Sequence, residues 1–80
     1  MHSAIEHEYR RLVGKRVRME RVWQDLSQDE VAAKAGVTRN FVSAIERGVQ
    51  GLDAFRLRNL ADALGITFED LMAADDRRLH

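Results

Sequence analysis

Eighty residues, 45% of them apolar, make one small domain with a core thin enough for self-association to add useful burial. With no cysteine there is no disulfide framework and no thiolate metal site, and no apolar run reaches the roughly 18 residues of a membrane span. Thirteen basic and thirteen acidic residues cancel, so the chain exerts little long-range pull on a polyanion and is expected to bind random DNA weakly.

Absent proline and only five glycines suit an all-α chain, and one tyrosine, one tryptophan and three phenylalanines are few for a sandwich or barrel. Five helices are predicted. The first runs from about Ile5 to Gln24, with Val13, Val17 and Arg21 on one face and Leu12, Met19 and Trp23 on an adjacent stripe. Trp23 is expected at a half-buried edge of the core, or else in a dimer contact. The second helix follows Ser27, where Ser27-Gln28-Asp29-Glu30 has the form of a capping box, with Val31, Ala32 and Ala35 facing inward and Gly36 at its end. The third follows the cap Thr38, has Phe41, Val42 and Ile45 as its apolar members, and stops at Gly48. The fourth starts after Asp53, with Phe55, Leu57, Leu60, Ala61 and Leu64 as its inward face, and Gly65 ends it. The fifth follows Thr67, with Glu69 and Asp70 in its first turn, where the helix dipole favours acids. The tail, residues 75–80, is polar and expected to fray.

The stretch from Leu26 to Gly48, LSQDEVAAKAGVTRNFVSAIERG, holds the functional signal. Two helices this short bury little unless they pack on each other, and packed so they present one polar helix outward, the shape that enters a DNA major groove. On the third helix Arg39, Asn40, Ser43 and Ala44 fall on the outward side. Arginine pairs with guanine O6 and N7, asparagine with adenine N6 and N7, and alanine meets a thymine methyl. A solvated first turn is the bland alternative for Arg39 and Asn40, as an ordinary helix-start polar residue is for Gln28, whose amide can otherwise reach a phosphate. The charges also segregate. Arg10, Arg11, Lys15, Arg16, Arg18 and Arg21 outweigh Glu6, Glu8 and Glu20 at the front, while residues 51–80 carry six acids against four arginines. Eleven of the thirteen basic residues are arginine, which suits bidentate contacts, although a GC-rich coding sequence gives the same bias.

In this register the segment resembles the helix-turn-helix of phage repressor and Cro proteins, the XRE family. Ser27-Gln28, Ala32, Gly36-Val37-Thr38, Val42-Ser43, Ile45-Glu46 and Gly48 all align at once, and VGKRVRMER and LRNLADALGITFEDLM resemble the flanking helices, so the likeness covers about residues 12–72. It implies a compact, lambda repressor-like five-helix domain over residues 12–74, with residues 1–11 as an extension running into the first helix. It implies base reading by Thr38, Arg39, Asn40, Ser43 and Ala44, and phosphate contacts from Gln28, Arg47 and Gln50, to which the basic front adds Arg18. It further implies a structural ion pair between Arg21 and Glu46. The loop after the third helix, Val49-Gln50-Gly51-Leu52, lacks the proline common in the family, and Phe41 is large where relatives carry a small polar residue. Phe41 is expected either against a DNA sugar or thymine methyl or as padding between the third and fourth helices, with padding the favoured place.

No strand-borne nucleophile, glycine-rich phosphate loop or HExxH-type metal pair is present, and His2, His7 and His80 are read as solvated, so an enzyme, a cofactor and a metal are not expected. The expected function is a cytoplasmic, sequence-specific transcription regulator, nucleoid-associated when bound. It would act as a homodimer on an inverted repeat. TRNFVSAIERG resembles the controllers of restriction–modification systems in particular. The alternative is an antitoxin that binds a toxin and autoregulates its operon; RNA polymerase is a further candidate protein partner. Leu52, Ile66, Phe68, Leu71 and Met72 are expected to form the dimer interface, and Arg10, Arg11, Lys15 and Arg18 to flank the DNA.

Overall fold

Apolar residues recur at helical spacing along the whole chain, and the computed structural model, which describes residues 4–73, has a helix in each predicted place. These are α1 (Ala4–Trp23), α2 (Gln28–Ala35), α3 (Arg39–Glu46), α4 (Ala54–Leu64) and α5 (Phe68–Met72). The starts are set by side chains. Ser27, Thr38, Asp53 and Thr67 each accept the backbone N–H three residues on, which satisfies one of the donors that a helix start leaves open. At α2 the exchange is reciprocal, because Glu30 accepts the Ser27 N–H at 2.8 Å. That backbone hydrogen bond holds the Glu30 carboxyl below its ordinary value, and the Arg56 N–H does the same for Asp53. Gly36 ends α2 and Gly65 ends α4 in the left-handed conformation, at φ 68° and 74°. The end of α1 uses Asp25 instead, at φ 61°, a residue type enriched in that conformation.

The core gathers Val13 and Val17 from α1, Val31, Ala32 and Ala35 from α2, Phe41, Val42 and Ile45 from α3, the inward face of α4, and Leu71 from α5. α4 packs on α1, α2 and α5, while α3 lies across α1 and α2. Each fully buried leucine, such as Leu57 or Leu60, contributes about 1.5–3 kcal/mol. α1 and α3 meet backbone to backbone. A Cβ on Gly14 would stand 2.0 Å from the Ile45 carbonyl oxygen, so only glycine fits there.

Three expectations are corrected. Phe55 is not on the inward face of α4: it is 74% exposed, because it precedes Leu57 by two residues and so points roughly 200° round the helix from it. Trp23 is not half-buried but 87% exposed, and Met19 is exposed beside it, both lying away from the stripe that Val13 and Val17 define. Leu71 is unavailable to a second copy, since it is fully buried inside the protomer. α5 is instead tied down locally: the Tyr9 hydroxyl donates to the Met72 carbonyl, and the Arg58 guanidinium lies 4.9 Å from the Phe68 ring centre. His2, His80, Asp75, Asp76 and the tail from residue 75 lie outside the described residues.

Candidate nucleic-acid interface

α3 divides along its length. Phe41, Val42 and Ile45 are buried, Thr38, Arg39, Asn40 and Arg47 are exposed around its ends, and Ser43 and Ala44 are half-buried between them. Phe41 pads the junction with α4, where the Arg56 guanidinium covers its ring at 4.3 Å. The outward residues are therefore carried on a helix whose other side is locked into the core.

The end of α3 is anchored by charge. Arg21 donates from Nε to Glu46 at 2.7 Å and from Nη2 at 3.0 Å, and its Nη1 reaches the Leu26 carbonyl at 2.8 Å. Both side chains are largely out of water, 15% and 5% exposed. The Glu46 hydrogen bond raises the Arg21 pKa further above its ordinary value. Gln28 adds a third donor to Glu46 from Nε2, at 3.2 Å, so its amide braces α3 as well as standing at the N-terminus of α2. Gly48, at φ 73°, brings the chain against the α1 backbone at Arg11 just beyond this anchor. Arg47 donates to the Ser43 hydroxyl at 3.3 Å, Gln50 is half-buried in the following loop, and Arg18 is exposed on α1. Of the other front-end bases, Arg10 pairs with Glu6 at 2.8 Å and Arg11 with Glu8, while Lys15 is exposed.

Two members of this surface carry no signal in the sequence. Asp29 lies 3.6 Å from Arg39, and Arg56 is drawn to the start of α3 by Phe41. Neither is visible as spacing, because both depend on the angle at which helices cross. Among the described residues no cluster of acids and histidines could hold a metal, and no helix is long and apolar enough to cross a membrane.

Two short helices joined at a left-handed glycine, the second displaying polar residues outward and anchored from behind, form a DNA-binding helix-turn-helix. Residues 17–71 match the Helix-turn-helix family HTH_3, and the chain belongs to it. It is 33% identical over 69 residues to the HTH-type transcriptional regulator y4dJ of Sinorhizobium fredii, covering 86% of this chain and 90% of that one. It spans less than half the length of two other regulators from the same organism. Among solved structures, a hypothetical transcription factor from Neisseria superposes with a TM-score of 0.82 at 31% identity, over 92% of this chain and 85% of that one. The restriction–modification controller protein C.AhdI of Aeromonas hydrophila gives 0.75 at 32% identity, over 78% and 94%.

Proposed function

We propose that this protein is a transcription regulator that binds a specific DNA sequence as a homodimer, with α3 of each protomer in the major groove. The observation that carries the reading is the division of α3. Arg39 and Asn40 stand in solvent at its first turn, while Glu46 at its last residue is pinned by Arg21 and Gln28. A reading helix needs side chains that can pair with base edges and a base that does not yield. Thr38, Ser43 and Ala44 complete the reading set, and Gln28, Arg47, Gln50 and Arg18 supply phosphate contacts. Likeness to C.AhdI favours a controller of a restriction–modification operon within this class.

Selection of bound sequences from random duplex DNA tests the reading directly. The expected product is an inverted repeat whose halves lie roughly 34 Å apart, one DNA turn. Titration should then separate operator from scrambled duplex by on the order of 10³ or more near physiological salt. Arg39→Ala should cost about 1–3 kcal/mol on the operator and relax preference at one base pair per half-site. Arg47→Ala should weaken all duplexes alike and shallow the salt dependence. Equal affinity for operator and scrambled duplex would remove the reading, and a toxin protein bound tightly by the chain would replace it with the antitoxin role.

A further inference from the structure

The first turn of α2 reaches both ends of α3. Gln28 meets Glu46, the last residue of that helix, at 3.2 Å, and Asp29 meets Arg39, the first, at 3.6 Å. The two contacts differ in kind. The first belongs to the sequestered group around Arg21. The second stands in solvent, with Arg39 63% and Asp29 76% exposed, where an ion pair adds little to stability. Asp29 also places a negative charge on the surface that would face phosphates, which by itself weakens DNA binding.

We propose that Asp29 is a positioning residue that sets the sequence specificity of Arg39. The inference rests on the reading of α3 as the helix that reads bases. Oδ1 of Asp29 faces Nε of Arg39. A guanidinium can offer a fork of two donors along either its Nε side or its terminal Nη pair. With the carboxylate beside Nε, the terminal pair is the fork left for guanine O6 and N7. The carboxylate also offsets the charge that would draw Arg39 to any phosphate, while leaving the geometric match to guanine intact. Both effects widen the gap between specific and random binding. They do so in a chain whose charges already cancel.

The test uses the full chain, an operator selected by the wild-type protein, single base-pair variants of that operator and a scrambled duplex, all titrated by fluorescence anisotropy. Asp29→Asn keeps the shape of the side chain and removes its charge; Asp29→Glu keeps the charge. Asp29→Asn should lower the operator-to-scrambled ratio by about 10-fold and weaken preference at the base pair that Arg39→Ala relaxes. Its binding to the scrambled duplex should gain salt dependence equivalent to about one more phosphate. Asp29→Glu should restore most of the preference, and in the Arg39→Ala background Asp29→Asn should alter no base preference. Uniform tightening on every duplex, or an unchanged preference profile, would overturn the inference and leave Asp29 as a repulsive charge only. Wild-type protein that fails to separate operator from scrambled duplex would overturn the reading of α3, and this inference with it.

Discussion

Arg21 and Glu46 are 25 positions apart and meet through two hydrogen bonds, with a third from Gln28. Removing one partner strands the other away from water, so Arg21→Met alone should destabilise the protein by about 3–5 kcal/mol, whereas Arg21→Met with Glu46→Leu should recover much of that loss. Urea unfolding of the two variants checks this, and equal losses in both would contradict it. The pair was legible only through family resemblance, since nothing in the local sequence joins two residues so distant. Asp29 and Arg39 escaped even that, because their meeting depends on how α2 crosses α3. Gly14 was equally silent: a glycine inside a helix reads as a mild defect, and only the Ile45 carbonyl against it shows why a side chain is excluded.

At the scale of elements, the caps were the most readable feature, because a cap acts within four residues and a sequence shows all of them. They also predict acid sensitivity. Glu30 and Asp53 have carboxyls held below their ordinary values of 4.5 and 3.8 by the backbone N–H groups they accept. The unfolded chain therefore takes up these protons first as pH falls. The stability they contribute is complete above the ordinary values and is lost as pH drops through the lowered ones. Melting temperatures followed by circular dichroism from about pH 6 to about pH 3 should fall more steeply for the wild type than for the Glu30→Gln, Asp53→Asn double variant. Parallel curves would show that the caps carry no linked proton. The inward faces were read less well. Leu57, Leu60, Ala61 and Leu64 obey the helical period, but Phe55 shares only their hydrophobicity, and two residues of offset turn it outward.

For the whole molecule, the consequence of a thin core is that α5 and the loops beside it have two tasks to divide. Leu71 closes the protomer, while Leu52, Ile66, Phe68 and Met72 are only partly covered and pack at the margin of the core. The proposed dimer draws on those four. Leu71→Ala should cost about 2–5 kcal/mol of stability in the protomer itself. Met72→Lys should instead shift the monomer–dimer balance while the fold persists. Sedimentation velocity over a concentration series, paired with thermal melts, separates the two effects; a wild-type protein that remains monomeric at high concentration, with and without operator, would end the proposal. The five-helix architecture was readable because period, caps and turns agreed along the chain. The mutual angles of those helices were not, and they decide which polar residues meet.

Trp23 stands almost wholly in water at the end of α1 and is the only tryptophan in the chain. Its indole therefore has nearly the same surroundings in the folded protomer as in the unfolded chain. Intrinsic fluorescence should pass through denaturation with little change of colour, even while the helices melt. The same insensitivity gives the ring another use. A blue shift on raising concentration, or on adding duplex, would come from something covering the tip of α1 beside Met19 and Val22, so the light emitted by this molecule reports on its neighbours and not on its own folding.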